Sequence, residues 1–185
     1  FNLNQQKGCQ PFTAEFDVPP GTPSNYIYNW DFGDNYSSSQ NPVSHTYIHD
    51  GVYNVSLTVA YPSASGCSTT INFPQAVEVY QVPKARFIFD PPVPTLNHPD
   101  VFFTDKSTGA DAWNWNFGDN SGEVREQSPR HTYRDTGTYL VRLYVKSTEE
   151  CKDTAYEVVY VTEEMQVFIP NAFTPDGSGV NDYFK

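Results

Sequence analysis

Two six-residue stretches carry the densest chemistry in the chain: WDFGDN at 30–35 and WNFGDN at 115–120. Asp31 and Asp34 flank Gly33 in the first, and Asp119 follows Gly118 in the second. Carboxylates beside a glycine could open a calcium loop, but the D-x-[DN]-x-[DN]-G spacing with a distal Glu is absent. The same letters also spell a turn. Glycine reaches backbone angles that other residues resist, and Asp bonds its own backbone two residues on. The turn is the preferred reading at both copies, and no metal is assigned there.

His45 and His131 each precede a Thr-Tyr pair and offer one imidazole per copy. A single histidine makes a poor metal site, and no Ser–base or Cys–base pair recurs. They read as packed or hydrogen-bonded corner residues. Tyr47 and Tyr133 fit a tyrosine corner, with the hydroxyl serving a loop backbone group. No catalytic residue is assigned, and an enzyme is not expected.

The three cysteines, Cys9, Cys67 and Cys151, cannot all pair internally and lack zinc-type spacing. Cys9 precedes the first strand expected of copy one, and Cys67 follows its strongest strand. Copy two matches Cys67 with Cys151 but offers only Val82–Ala85 where Cys9 stands. The expectation is a Cys9–Cys67 disulfide and a free Cys151, in an oxidising, extracytoplasmic setting.

The elements that position these residues come from an internal repeat. His45-Thr46-Tyr47 matches His131-Thr132-Tyr133 at an offset of 86, as Gly51-Val52-Tyr53 matches Gly137-Thr138-Tyr139. The expected divisions are 1–8 as the end of a preceding domain or linker, 9–80 as domain one, 81–83 as linker, 84–161 as domain two and 162–185 as a third, truncated start. Tyr26, Tyr28, Trp30 and Phe32 share one parity, as do Trp113, Trp115 and Phe117. Tyr53, Val55, Leu57 and Val59 alternate with polar neighbours, and Tyr139, Val141, Leu143 and Val145 repeat the pattern. Period two means strands with one buried face. Further strands are expected at 12–16, 67–73, 77–80, 85–89, 101–104, 152–155, 157–161 and 165–169. No helix is expected, and the fold class is all-β, two immunoglobulin-like sandwiches in tandem plus an incomplete β-rich C-terminal segment.

The net charge is −11, and residues 1–80 hold only Lys7 against six acids. That balance argues against nucleic acid and anionic membranes, and no apolar run reaches spanning length. The chain opens FNLNQQ, without Met or signal pattern, and reads as a mature chain or excised piece.

These motifs (W-D-F-G-D, then H-x-Y, then G-x-Y-x-V-x-L) closely resemble the polycystic kidney disease (PKD) domain. The resemblance implies an immunoglobulin-like sandwich used as a spacer, stalk or contact module on surface proteins. Asn35 and Asn120 stand where the family has glycine, and Asn116 where it has aspartate. The tail VFIPNAFTPDGSGVNDYFK resembles the opening of the gliding-motility-associated C-terminal domain of Bacteroidota surface proteins. The matching positions are Pro170, Asn171, Phe173, Thr174, Pro175, Asp176, Gly177, Gly179, Asn181 and Asp182. That resemblance implies type IX secretion machinery as partner and a surface or secreted destination, with a gliding adhesin as parent. Asp176, Ser178, Asn181 and Asp182 form an oxygen-rich loop that would suit calcium, against an uncharged turn as the plainer reading. Thr154 lies in Asp153-Thr154-Ala155, which resembles the phylum's short O-glycosylation motif.

The leading expectation is a non-enzymatic surface spacer or adhesion module, contacting surface proteins or glycans. The alternatives are accessory domains of a secreted hydrolase, with catalysis upstream, or a carbohydrate-binding module. Exposed Tyr61 or Tyr80 alone would make a poor glycan platform.

Overall fold

The structure, a computed structural model, describes residues 2–3, 6–22, 25–61 and 67–164. The expected strand at 165–169, the sorting-domain motif from Pro170 to Asp182 and the candidate calcium loop lie outside the described residues.

Copy one contains β1 (Asn2–Leu3), β2 (Lys7–Cys9), β3 (Phe12–Asp17), β4 (Ile27–Asp31), β5 (Ser37–Ser38), β6 (Val43–Tyr47), β7 (Gly51–Ala60) and β8 (Ser68–Tyr80). One sheet runs β1-β3-β6, and the facing sheet runs β2-β8-β7-β4-β5. Copy two contains β9 (Phe87–Asp90), β10 (Asp100–Asp105), β11 (Ala112–Asn116), β12 (Glu123–Val124), β13 (Arg130–Thr132), β14 (Gly137–Lys146) and β15 (Lys152–Val161). Its sheets run β13-β10-β9 and β12-β11-β14-β15. No helix occurs among the described residues.

Alternation puts the large apolar residues between the sheets, as the period-two pattern requires. Phe12, Ala14 and Phe16 of β3 face Tyr28 and Trp30 of β4 and Val55 and Leu57 of β7. Copy two packs Val101 and Phe103 against Trp115, Val141, Leu143 and Val145. The two cores are separate clusters, each centred on a fully buried tryptophan.

Three expectations are corrected. The segment 1–8 is not a linker: Asn2 and Leu3 pair with Asp17 and Phe16, and Lys7–Cys9 pair in parallel with Glu78–Tyr80. These strands are two and three residues long, too short to show periodicity. The strands expected at 67–73 and 77–80 are one strand, β8, and those at 152–155 and 157–161 are one strand, β15. In β8 the apparent break is a bulge at Gln75, whose φ is +52 and whose N–H donates to Asn54 Oδ1 at 2.8 Å.

Candidate functional site

Each hexapeptide builds the same corner. Strand β4 ends at Asp31, whose Oδ1 accepts from the Gly33 N–H at 2.9 Å. Gly33 has φ +80, and Asn35 follows at φ +72. Asp34 Oδ1 accepts from the Tyr36 N–H at 3.2 Å, and its Oδ2 lies 2.7 Å from His45 Nε2. The imidazole stacks on Phe32 at 4.1 Å and meets Tyr47 edge-on at 4.7 Å. The Tyr47 hydroxyl donates to the Phe32 carbonyl at 3.2 Å, closing the corner.

Copy two repeats every link. Asn116 Oδ1 accepts from the Gly118 N–H at 3.0 Å, so asparagine performs the turn duty of Asp31 without its charge. Gly118 and Asn120 have φ +80 and +64. Asp119 Oδ1 accepts from the Ser121 N–H at 3.1 Å, and Oδ2 lies 2.7 Å from His131 Nε2. His131 stacks on Phe117 at 4.0 Å, and the Tyr133 hydroxyl donates to the Phe117 carbonyl at 3.1 Å. Asparagine at 35 and 120 meets the left-handed geometry because its short amide tolerates it.

The electrostatics fit a structural part. Burial raises the Asp119 carboxyl, but hydrogen bonds from Ser121 and His131 outweigh it and leave the group below the usual carboxylate value. Burial, reinforced by the nearby aspartates, holds the Tyr47 and Tyr133 phenols well above theirs. An Asp–His pair is two-thirds of a nucleophilic triad. Here the imidazole is packed against two rings, and the His45 and His131 side chains keep 13% and 12% exposure. Both oxygens of each carboxylate are engaged, which suits a turn brace.

Glycine is required at the bend itself. A Cβ on Gly33 would sit 2.3 Å from the Asn54 carbonyl oxygen, and one on Gly118 would sit 2.7 Å from that of Leu140. Trp115 Nε1 donates to the Glu126 carbonyl at 2.8 Å. Thr154 lies half-buried on β15.

The cysteines depart from the expectation. Cys9 bonds Cys151, with Cα atoms 5.7 Å apart, and Cys67 is free and exposed. Cys9 and Cys67 lie at opposite ends of the 13-residue strand β8: Cys9 pairs with Tyr80, and Cys67 precedes Ser68. At about 3.3 Å per residue they are roughly 40 Å apart, far beyond bridging reach. Cys151 sits instead in the β14–β15 turn, where its carbonyl accepts from the Ser147 N–H at 2.8 Å. That turn lies at the end of copy two where the linker arrives. Lys84 exchanges backbone hydrogen bonds with Thr108 at 2.9 and 3.0 Å, and the Ala85 N–H donates to Asp153 Oδ2 at 2.7 Å. Asp153, read in sequence only as part of a glycosylation motif, thus holds the start of copy two just past the linker. The disulfide joins the two sandwiches beside a cleft of about 640 Å³ lined by Asp50, Glu78, Lys84, Asp111 and Glu149. Among the described residues, no three His, Cys, Asp or Glu side chains are grouped to hold a metal.

Comparison with known proteins gives the family. The family model described as the PKD domain matches residues 3–77 and again 86–162. Among solved structures, the PKD1 domain of the Vibrio cholerae metalloprotease PrtV is 27% identical, covering 44% of this chain and 98% of that one, with a TM-score of 0.39. The PKD1 domain of Vibrio anguillarum Epp is 23% identical over 45% of this chain and 98% of its own, with a TM-score of 0.40. The fibronectin(III)-like modules of Clostridium thermocellum CbhA are 13% identical over 91% and 99%, with a TM-score of 0.41. The chain belongs to the PKD domain family and carries two such domains in tandem.

Proposed function

We propose that this chain is a non-enzymatic spacer of an extracellular surface protein, its two PKD sandwiches welded into one stiff unit. The observation that carries the reading is the Cys9–Cys151 disulfide, which ties the first domain to the second across the short Gln81–Pro83 linker. A linker of that length already limits swing, and a second covalent tie removes most of what remains. A disulfide of this kind suits an oxidising, extracytoplasmic setting. The tail's resemblance to a sorting domain supports export by type IX machinery and a gliding adhesin as parent.

Residual dipolar couplings test the stiffness. In the oxidised protein both domains should report one alignment frame, and Cys9→Ser with Cys151→Ser should split it in two. Independent frames in the oxidised protein would overturn the welded spacer. For export, the region of the complete protein from residue 162 onward should carry a reporter to the surface. Retention of that reporter in cells with intact type IX machinery would overturn that half.

A further inference from the structure

The repeat turns the disulfide into a rule about poles. Tyr53 pairs with Val77 as Tyr139 pairs with Val159. Three residues on, Cys9 lies opposite Tyr80 in parallel, and Thr95 lies opposite Thr162 in the same sense. Thr95, rather than Val82–Ala85, is therefore the counterpart of Cys9. This trailing pole, where a domain hands the chain onward, holds a cysteine in copy one and a threonine in copy two.

The leading poles match as closely. The Tyr61 N–H donates to the Cys67 carbonyl at 3.2 Å, as the Ser147 N–H does to the Cys151 carbonyl at 2.8 Å. Each cysteine precedes the long final strand of its domain. Cys151 is bonded to the trailing-pole cysteine of the domain before it. Cys67, its twin, is free and exposed, beside an open groove lined by Tyr26, Val59, Tyr61 and Ile71. Tyr61 and Ile71 keep 42% and 45% exposure there, large apolar surface at the pole where a preceding domain would seat.

We infer that Cys67 is half of a second interdomain disulfide, its partner a cysteine at the Cys9 position of a preceding sandwich of the same kind. The bond forms by thiol–disulfide exchange with a disulfide oxidant. Two thiols give one S–S bond, and their two protons and two electrons convert the oxidant to a dithiol. The ladder ends after copy two, because Thr95 offers no sulfur. The inference rests on the welded-spacer reading, and its test scores the two bonds separately.

The complete protein, with free thiols blocked before digestion without reduction, should yield Cys67 cross-linked to the domain immediately before it. Cys67 carrying the blocking group, or joined elsewhere, overturns the inference while leaving Cys9–Cys151 to be scored in the same digest. A designed chain checks the geometry alone: residues 1–86 placed ahead of residues 1–185, so that Arg86 leads into Phe1 as it natively leads into Phe87. The added copy's Cys9 should bond Cys67 of the next copy, leaving only the added copy's Cys67 reactive. Cys67→Ser in that next copy should make the added Cys9 reactive again. A blocked Cys67 beside an intact Cys9–Cys151 bond would contradict the inference and spare the spacer reading.

Discussion

The two domains agree inward and differ outward. The corner set Phe32, Asp34, His45, Tyr47 recurs as Phe117, Asp119, His131, Tyr133 with ring distances within about 0.1 Å, for example 4.1 against 4.0 Å for the stacked pair. On the outer sheet face the cross-strand row Ile27–Ala60–Ser68 becomes Ala112–Lys146–Lys152. The row Asp31–Ser56–Asn72 becomes Asn116–Arg142–Tyr156. Nine of the eleven Lys and Arg residues lie between 84 and 152, and in these two rows copy two carries Arg142, Lys146 and Lys152 where copy one carries no cation. The lesson is physical. Inward positions are fixed by packing and by hydrogen bonds with no alternative partner, whereas outward positions meet water and bear change cheaply.

The strand pairs differ in one more way. Between Tyr53–Val77 and Val55–Phe73, β7 advances two residues while β8 advances four. Strand β15 keeps unbroken register with β14 from Gly137–Val161 to Lys146–Lys152. The extra pair of residues in β8 leaves the inward parity intact, since a shift of two returns each side chain to its own face. The β7–β8 turn, two residues longer than the β14–β15 turn, lowers the offset between the copies from 86 at Ala60 and Lys146 to 84 at Ser68 and Lys152, and the bulge lowers it to 82 at Val77 and Val159.

The comparison can be broken first at the cores. Trp30→Ala and Trp115→Ala should each cost about 3–5 kcal/mol and melt only the domain that carries it. Separate denaturation of the two domains, followed by domain-resolved amide exchange, checks this, and joint melting would show that the cores are coupled. Next come the bends. Gly33→Ala and Gly118→Ala should each cost about 2–3 kcal/mol, from a left-handed φ and a Cβ driven onto a carbonyl. Gly33→Ala should cost more, because its contact is 2.3 Å against 2.7 Å. Gly122→Ala, at φ +101 with open space around it, isolates the backbone share. The smallest effect concerns acid. The Asp119 carboxyl is held below its usual value, so its contribution is present above the unfolded-state value and lost as pH falls through the folded one. Asp119→Asn should therefore flatten the acid limb of domain-two stability below about pH 4, by about 1 kcal/mol. An unchanged limb in urea melts across that range would remove Asp119 from the acid response.

Alternation in YIYNWDF and in GVYNVSLTV made the strands and buried faces legible, and glycine beside aspartate made the corners legible as turns. The first strands were not, because NL and KGC carry too few residues for a period, and that hid the true start of copy one. With that start hidden, the sequence sets Cys9 against Val82–Ala85, whereas the strand pairing sets it against Thr95. The disulfide was beyond local reading for a further reason. Pairing Cys9 with Cys67 requires opposite ends of one long strand to meet, and only the tandem arrangement shows which pole of copy two faces Cys9. The Asp153 tie to the Ala85 N–H was hidden likewise, since it joins residues 68 positions apart.

The central claim is that one disulfide spans both domains, and pulling the protein by its two ends tests it most directly. The bond closes a loop of sequence separation 142, so tension passes from Cys9 to Cys151 and bypasses nearly all of both sandwiches. At about 3.3–3.6 Å per residue, roughly 470–510 Å of chain should stay withheld under oxidising conditions and be released only after reductant is added. Release of that length from the oxidised protein would contradict the account.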